Sequence, residues 1–264
     1  MDLQLKNKTA LVTGSTQGIG YAIAKLLLAE GASVIVNGRT TQRIDAAVSK
    51  LKSEIPGADV SGLAADFANT GDTKKLISAL PEVDILINNA GIFEPKPFLE
   101  IPDEDWIRFF TVNVLSGVQL SRAVLPKMLE KNWGRIIFIS SESALNIPEE
   151  MIHYGATKTM QLGVSRGLAE LTRNTNVTVN SVLPGPTKSE GVGDFMDQVA
   201  RSQNISKEAA EKDFFKTMRP SSIIQRFADV SEIANLVVYL ASPLSSATNG
   251  TALRADGGLV KLIM

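Results

Sequence analysis

Short apolar runs alternate with longer stretches of helical periodicity along almost the whole chain. The apolar runs are rich in β-branched residues and lack strict alternation with polar residues, which is typical of strands buried on both faces of a parallel sheet. Seven such strands are predicted, at residues 9–13, 33–37, 60–65, 83–88, 135–140, 177–183 and 252–255. Between them, amphipathic stretches predict helices at residues 18–30, 41–54, 103–131, 154–172 and 230–241.

This alternation predicts an α/β fold of the doubly wound, Rossmann type, with a parallel sheet and helices on both faces. The sequence contains no internal repeat, low-complexity tract or linker-like boundary. We therefore predict a single domain over residues 1–264.

One polar segment, at about residues 188–226, interrupts the alternation. It carries Phe195, Met196, Phe214, Phe215 and Met218 at partly helical spacing. It begins just after the end of a predicted strand, where ligands bind in folds of this kind. The segment predicts a helical lid over a substrate site; a surface insertion that serves packing or oligomer contacts is the alternative.

Composition narrows the class of protein. Hydrophobic residues make up 44% of the chain and charged residues 21%, which is typical of a globular domain. The net charge of −1 and the scattered Lys and Arg residues argue against a nucleic-acid partner. The absence of cysteine and the presence of one histidine exclude thiolate chemistry and a His-rich metal site, and no metal is predicted.

The N-terminal six residues are too polar for a signal peptide, and no apolar run approaches the ~18 residues of a membrane-spanning helix. We therefore expect a cytoplasmic protein without a membrane partner.

The first predicted strand leads into a glycine-rich turn, Thr13-Gly14-Ser15-Thr16-Gln17-Gly18-Ile19-Gly20, and then into a helix. Glycines there allow a tight turn and close approach of the backbone to a pyrophosphate, while the first N–H groups of the helix face the phosphates. The pattern predicts a dinucleotide site; a tight turn without a ligand is the alternative. The predicted cofactor-binding residues of this turn are Gly14, Ser15, Gln17, Gly18, Ile19 and Gly20.

The end of the second predicted strand indicates which dinucleotide binds. An acidic residue there would bind the adenosine ribose of NAD, but the sequence reads Asn37-Gly38-Arg39. The planar, permanently charged guanidinium of Arg39 suits a 2′-phosphate, and Arg43 could share that role. NADP(H) is therefore the preferred cofactor and NAD(H) remains possible; the alternative for Arg39 is a solvated loop arginine.

Tyr154 and Lys158 are four residues apart at the start of a predicted helix, so both project from one face. An ammonium near a phenol lowers its pKa and makes it a better acid–base group. Ser141 follows a strand end thirteen residues before Tyr154, which can bring its hydroxyl to the same pocket. An isolated pair with this spacing could equally be a solvent-facing Tyr and Lys.

Taken together, these motifs resemble the short-chain dehydrogenase/reductase family in its small single-domain form, over nearly the whole chain. The shared features are the glycine turn, Asn88-Asn89-Ala90-Gly91 after the fourth strand, Asn113 within a long helix, Ser141, Tyr154, Lys158, and Pro184-Gly185 after the sixth strand.

The resemblance implies four catalytic roles. Tyr154 would exchange a proton with the substrate oxygen, and Ser141 would hydrogen-bond that oxygen. Lys158 would bind the nicotinamide ribose and lower the pKa of Tyr154. Asn113 would hold a water that links Lys158 to solvent; a helix-interior Asn satisfied by the backbone is the alternative.

The resemblance also implies further cofactor contacts. Asp66 and Phe67 would lie against adenine, with a turn role as the alternative for Asp66. Asn89 and Gly91 would lie along the adenosine and ribose path. The residues expected on the nicotinamide side are Pro184, Gly185 and Thr187, with Ser189 as an alternative to Thr187. One departure is Gln17, where many NADP-preferring members carry a basic residue.

For the fold and assembly, the resemblance implies seven strands in the order 3-2-1-4-5-6-7 and a homotetramer, or a homodimer, with residues 249–258 packed against a neighbouring subunit. Glu142, Glu149 and Glu150 would lie in a pocket wall and could favour a cationic or hydroxylated substrate; solvated loop charges are the alternative. His153 is expected at the pocket edge without a catalytic role.

We conclude from the sequence that the chain is an NADP(H)-dependent oxidoreductase that interconverts a small-molecule carbonyl and a secondary alcohol by hydride transfer. The enzymatic alternatives are a 3-oxoacyl-thioester reductase of the fatty-acid type and an NAD-dependent sugar or polyol dehydrogenase. The non-enzymatic alternative is a dinucleotide sensor, which would not need the four catalytic residues.

Overall fold

The computed structural model describes residues 2–263, and of residues 190, 194 and 195 only the backbone. Seven strands within this range form one parallel sheet in the order β3-β2-β1-β4-β5-β6-β7. The predicted Rossmann-type fold and strand order are thus confirmed. The strands are β1 (Thr9–Val12), β2 (Ser33–Gly38), β3 (Val60–Ala64), β4 (Ile85–Asn88), β5 (Gly134–Ile139), β6 (Val177–Pro184) and β7 (Ala252–Ala255).

The helices that connect the strands cover both faces of the sheet. They are α1 (Gly18–Ala29), α2 (Thr41–Glu54), α3 (Thr70–Ala79), α4 (Asp103–Phe110), α5 (Ser116–Glu130), α6 (Ile152–Glu170), α7 (Glu190–Gln203), α8 (Lys207–Thr217) and α9 (Val230–Ala241). The single helix predicted at residues 103–131 is α4 and α5 joined by a π-helical turn, Thr111–Leu115. Such a turn widens the helix locally and is frequent at functional sites.

Alternation along each strand divides the core into two clusters. On β1, Leu11 points to one face of the sheet and Val12 to the other, because successive side chains of a strand point in opposite directions. Val12 packs with α1, α2 and α9, and Leu11 packs with α3, α5 and α6. With both faces covered, the central strands β1, β4 and β5 are buried along nearly their whole length, whereas the edge strands β3 and β7 are more exposed.

β1 pairs with β2 on one side and with β4 on the other, so the direction of the crossover connections reverses at β1. The loops after the two strands diverge there and leave a crevice. Thr13 fixes its floor, because the hydroxyl donates to the carbonyl of Ile87 (3.2 Å) and accepts from the backbone N–H groups of Asn89 and Ala90 (both 2.9 Å).

The predicted lid segment contains α7 and α8, which share an apolar cluster apart from the two sheet cores. Three phenylalanines form its aromatic part, with ring centroids 5.0–5.2 Å apart. The buried members of this lid cluster are Met196, Ala200, Ala210, Phe215 and Phe227.

In the described part of the chain, every helix is too short or too polar to cross a membrane.

Candidate active site

A cavity of about 600 Å³ opens at the carboxyl edge of the sheet and lies between the glycine turn and the lid segment. Sixteen of the eighteen predicted site residues line it, so the structure brings together groups that are widely separated in sequence. These are Gly14, Gln17, Gly18, Ile19, Gly20, Arg39, Asp66, Phe67, Asn89, Gly91, Ser141, Tyr154, Lys158, Pro184, Gly185 and Thr187.

Ser15 does not line the cavity, contrary to the prediction. Its side chain is fully buried, donates to the carbonyl of Val12 (2.7 Å) and accepts from the backbone N–H of Asn37 (3.0 Å). The hydroxyl thus joins the glycine turn to β2 instead of facing a ligand. The neighbouring Thr16 lines the cavity in its place.

The glycine turn has the backbone that a phosphate site requires. Gly14 and Gly18 have φ angles of +59° and +61°, a region that side chains disfavour. A Cβ atom on Gly20 would lie 2.4 Å from the carbonyl oxygen of Gly14, so only glycine allows α1 to start this close to β1. The side chain of Gln17 makes no capping bond to the N-terminus of α1, which leaves that end of the helix to face the cavity.

At the end of β2, Arg39 and Arg43 are both exposed and both border the cavity. Neither forms an ion pair with any residue that the structure describes. The space beside them is fixed by Gly38, since a Cβ there would lie 2.5 Å from a methyl group of Thr16. Two free guanidinium groups at this rim can receive an anionic group.

The side chains predicted to lie along the adenosine part of the cofactor are less available to a ligand than expected. Asp66 accepts from the backbone N–H of Ala68 (3.0 Å), as a turn residue does, while still bordering the cavity. Phe67 is 5% exposed and belongs to a sheet core, so its ring is not a free stacking surface. Asn89 donates to the carbonyls of Thr13 (2.8 Å) and Gly14 (3.0 Å) and so braces the turn.

The segment after β6 forms the opposite wall. Gly185 packs against the backbone of Asp256, where a Cβ would lie 2.7 Å from the Asp256 Cα. Thr187 donates to the carbonyl of Gly185 (2.8 Å), and Ser189 caps the N-terminus of α7. Both hydroxyl residues border the cavity.

Tyr154 and Ser141 both line this cavity. The Ser141 oxygen accepts from the backbone N–H of Ser143 (3.1 Å), which orients it. Burial raises the pKa of the Tyr154 phenol to about 12; the Ser141 hydroxyl acts in the opposite direction, and the charge of Glu142 adds to the rise. The phenol is therefore protonated at neutral pH.

Lys158 is buried, and burial lowers its pKa to about 7. Its Nζ donates to the carbonyl of Ile139 (2.9 Å), lies 3.4 Å from the Gln161 Oε1 atom and lies 5.6 Å from the centre of the Tyr154 ring. The sequence analysis predicted that Lys158 lowers the pKa of Tyr154. In the structure, burial has the largest effect on both groups: it raises the pKa of Tyr154 and lowers the pKa of Lys158. The physical reason is that a desolvated lysine loses much of its charge at neutral pH.

Asn113 does not line the cavity but lies directly behind it, in the π-helical turn Thr111–Leu115. Its amide exchanges two hydrogen bonds with the backbone of Ile92 (2.8 and 3.0 Å) and donates to the Thr157 hydroxyl (3.0 Å). Its backbone carbonyl accepts from the side chain of Gln161. These contacts make Asn113 a brace between the loop after β4 and α6. The water-holding role that the resemblance implies stays a prediction.

The wall beside Ser141 contains an ionic cluster. Glu142 is 4% exposed, and its Oε1 lies 3.5 Å from the Nε of Arg219, which also pairs with Glu150 (3.1 Å). Burial raises the pKa of Glu142. Glu149 is exposed, as the solvated-loop alternative supposed. The sequence carried no signal for Arg219, because only the folded lid segment brings it to this wall.

His153 does not line the cavity, so its predicted position at the pocket edge is wrong. Its ring is fully buried, 4.0 Å between centroids from Phe109 and 6.1 Å from Trp106, and burial lowers its pKa. Among the described residues, no group of three or more metal-binding side chains is gathered in one place.

The fold and the side chains that line the cavity are together typical of an oxidoreductase that binds a dinucleotide. The family model of the short chain dehydrogenases matches residues 8–200 of the chain. The protein belongs to the short-chain dehydrogenase/reductase family and is an enzyme of that oxidoreductase class.

Similar proteins extend over the full length of the chain. The oxidoreductase YvaG of Bacillus subtilis (strain 168) is 52% identical over 263 residues, covering 100% of both chains. YvrD of the same organism is 48% identical over 264 residues, covering 99% of both. L-sorbose reductase from Gluconobacter frateurii, solved with NADPH and L-sorbose, superposes with a TM-score of 0.93 at 28% identity, covering 100% of both chains.

Proposed function

We propose that the protein is an NADP(H)-dependent oxidoreductase that interconverts a carbonyl and a secondary alcohol, with Tyr154 as the proton donor or acceptor. The observation that carries the proposal is that Tyr154, Ser141 and Lys158 line the same cavity as the glycine turn.

The cavity fits a dinucleotide along its length. Gly14, Gly18 and Gly20 would hold the pyrophosphate at the N-terminus of α1, where the helix dipole favours negative charge. The free guanidinium groups of Arg39 and Arg43 would receive the 2′-phosphate that distinguishes NADP(H) from NAD(H). The similar L-sorbose reductase was solved with NADPH, which supports this assignment.

In carbonyl reduction, NADPH would supply the hydride that the carbonyl carbon receives. Tyr154 gives its phenolic proton to the carbonyl oxygen, so the product is a neutral alcohol and the tyrosine is left as a phenolate. Its pKa of about 12 keeps the phenol protonated until the substrate oxygen becomes basic. Ser141 donates a hydrogen bond to the same oxygen and stabilises the charge that develops there.

Lys158 restores the proton. With a pKa of about 7, it is about half protonated at neutral pH and shares the cavity with Tyr154. Asn113 keeps this lysine in place indirectly, through Gln161 and through the loop that carries Gly91. In alcohol oxidation the same groups act in reverse.

Tyr154→Phe tests the proposal. The variant keeps the ring but removes the transferable proton, and we expect the rate of NADPH oxidation with a panel of ketones and aldehydes to fall at least about a hundredfold. NADPH binding, followed by fluorescence, should stay within a factor of about two or three. Tyr239→Phe, at a 38% exposed position outside the cavity, is the matched control and should retain full activity. Turnover that survives in Tyr154→Phe, or no turnover of any carbonyl by the wild type, would contradict the proposal.

We also propose that the segment at residues 188–226 is a lid. Its support is that Ser189, Gly191, Val192, Phe214 and Arg219 border the cavity. The homotetramer and the cytoplasmic location stay predictions. Light scattering coupled to size-exclusion chromatography measures the oligomeric state.

A further inference from the structure

Arg219 follows α8 and forms ion pairs with two acidic residues outside the segment at residues 188–226. Its Nε lies 3.5 Å from Oε1 of Glu142, and its Nη2 donates to Oε1 of Glu150 at 3.1 Å. Its Nη1 donates to the carbonyl of Met218 at 2.9 Å. Each nitrogen of the guanidinium thus has a partner within the protein, so this group holds segments of the chain together instead of offering a charge to a ligand.

On its own side, the guanidinium lies against the lid cluster. Its central carbon is 5.6 Å from the centre of the Phe214 ring, which packs with that cluster. The side chain of Arg219 is only 10% exposed. A planar guanidinium can stack on an aromatic face and still form ion pairs along its edge. These contacts join Arg219 to the lid cluster.

The first partner, Glu142, shares a short turn with Ser141. The hydroxyl of Ser141 caps the 3₁₀ turn Glu142–Ala144 by accepting from the backbone N–H of Ser143 (3.1 Å). Glu142 is the first residue of that turn, and its side chain is 6% exposed. Because the two residues share this turn, we expect a displacement of Glu142 to move the Ser141 hydroxyl.

The second partner, Glu150, lies where α6 begins. It belongs to the 3₁₀ turn Glu149–Met151, which runs directly into α6, and Tyr154 lies in the first turn of that helix. The carbonyl of Glu150 accepts from the backbone N–H of Lys96 (2.9 Å), which fixes it to the loop after β4. The ion pair between Arg219 and Glu150 therefore acts on the segment that places Tyr154.

Other ion pairs of residues 188–226 lead elsewhere. Among the described side chains, Lys207 pairs with Asp197 inside the segment, and Arg226 pairs with Glu232 on α9. Arg219 is thus the ionic link, within the described part of the chain, between this segment and the residues around Ser141 and Tyr154.

We propose that Arg219 is a positioning residue for hydride transfer, which couples the placement of the segment at residues 188–226 to the orientation of Ser141 and Tyr154. The inference rests on the proposed function, which assigns the proton transfer to Tyr154 and the stabilisation of the substrate oxygen to Ser141. Misplacement of reacting groups by about 1 Å can lower a rate about a hundredfold. The effect of Arg219 should therefore appear in kcat, although the residue takes no part in the chemistry.

Arg219→Met tests the inference, because methionine fills part of the same space and has no donor. We expect kcat to fall about ten- to a hundredfold for the carbonyl that the wild type reduces fastest among hydroxyacetone, butanone and acetophenone. The KM for NADPH should change by no more than about threefold, since Arg219 lies outside the proposed cofactor contacts. Arg219→Lys keeps a positive charge for the two carboxylates and should recover part of kcat.

A loss of stability has to be separated from this effect, because Arg219→Met leaves the buried Glu142 without its cation. The double variant Arg219→Met/Glu142→Gln lacks that unpaired charge, so its melting temperature should return toward that of the wild type while kcat stays low. Arg226→Met is the matched control: it removes an exposed ion pair with Glu232 and should keep the kcat of the wild type.

Three results would overturn the inference: a wild-type kcat in Arg219→Met, equal losses in Arg219→Met and Arg219→Lys, or a double variant whose kcat recovers together with its melting temperature. Each leaves the proposed function intact, since the wild type still reduces a carbonyl. If the wild type oxidises NADPH with no carbonyl, the proposed function itself fails.

Discussion

The side chain of Gln161 bridges to the backbone of Asn113: its amide donates a hydrogen bond to the carbonyl oxygen in the π-helical turn. The amide oxygen of the same glutamine lies 3.4 Å from Nζ of Lys158. One buried side chain thus connects the widened turn of the α4–α5 helix to the lysine on α6, whose Nζ also donates to the carbonyl of Ile139 (2.9 Å).

Gln161→Met tests that connection, because methionine has a similar length but no polar amide. The carbonyl of Asn113 loses its donor inside the protein, and we expect the free energy of unfolding to fall by about 1–3 kcal/mol. Urea denaturation measures this change. Gln42→Met, the same substitution at an exposed position of α2, should change stability by no more than about 0.5 kcal/mol. Equal changes at the two positions would show that the Gln161 bridge contributes nothing.

The lowered pKa of Lys158 predicts a dependence of stability on pH. In the unfolded chain this lysine titrates near 10.5, and in the folded protein at about 7. Between these values the unfolded chain binds the extra proton, so the stability of the folded protein rises as pH increases from about 7 to about 10.5. Below pH 7 the full cost of a buried charge is present.

Lys158→Met removes this cost. We expect it to be more stable than the wild type near pH 6, by on the order of a few kcal/mol, and the advantage should shrink as pH rises toward 10. Thermal unfolding of the cofactor-free proteins across this range is the measurement. Lys74→Met changes an exposed lysine on α3 and should show no such trend. An advantage for Lys158→Met that is constant with pH would refute the assigned titration.

Substitution of Gly20 by alanine adds a single methyl group, and we expect it to have a severe local effect. In Gly20→Ala, the new Cβ would meet the Gly14 carbonyl at 2.4 Å and the Asn89 amide at 2.5 Å. We expect a loss of about 1–3 kcal/mol in stability and a large increase in the Kd for NADPH. Gly163→Ala on α6 has no atom within 4 Å of the new Cβ and should gain about 0.5–1 kcal/mol. Calorimetry and NADPH titration of both variants decide this, and tight NADPH binding by Gly20→Ala would contradict it.

We expect Arg39 to determine the preference for NADP(H) over NAD(H). Loss of a charge-assisted contact to a 2′-phosphate costs about 1.5–3 kcal/mol, so Arg39→Ala should raise the KM for NADPH about 10- to 150-fold and leave the KM for NADH nearly unchanged. Arg43→Ala, measured in parallel, gives the share of the second guanidinium. Equal increases for both cofactors would exclude a 2′-phosphate at this rim.

Because Phe215 belongs to the lid cluster, we expect a substitution there to reduce the stability of the segment at residues 188–226 without reducing that of the sheet. The ring is 1% exposed and packs at about 5 Å from Phe214 and Phe227, so Phe215→Ala removes about 3–5 kcal/mol from the lid cluster. Hydrogen exchange at residues 188–226 should accelerate and the KM for the carbonyl substrate should rise, while NADPH binding changes little. Uniform acceleration throughout the sheet would mean that the lid has no separate stability.

Local rules predicted much of this site. The i, i+4 spacing of Tyr154 and Lys158 and the glycines of the first turn depend on helix and turn geometry that neighbouring residues determine. The strand order followed from the family resemblance, and the alternation of apolar runs determined the fold class.

What the sequence did not predict depends on contacts between distant segments. Whether Ser15 faces a ligand or the protein interior is decided by its partner Asn37 on another strand. The π-helical turn around Asn113 adds one residue to a helical turn, and the helical periodicity of residues 103–131 did not indicate where it falls. Arg219, which follows α8, contacts Glu142 only in the folded chain, 77 positions away in sequence.

The separate apolar cluster of the lid segment has a consequence for how new substrate preferences can arise. Because Met196, Ala210 and Phe215 belong to a cluster apart from the two sheet cores, we expect that this segment can be exchanged as a unit between relatives. A chimaera of this kind would keep the hydride-transfer machinery of one parent and acquire the selectivity of the other.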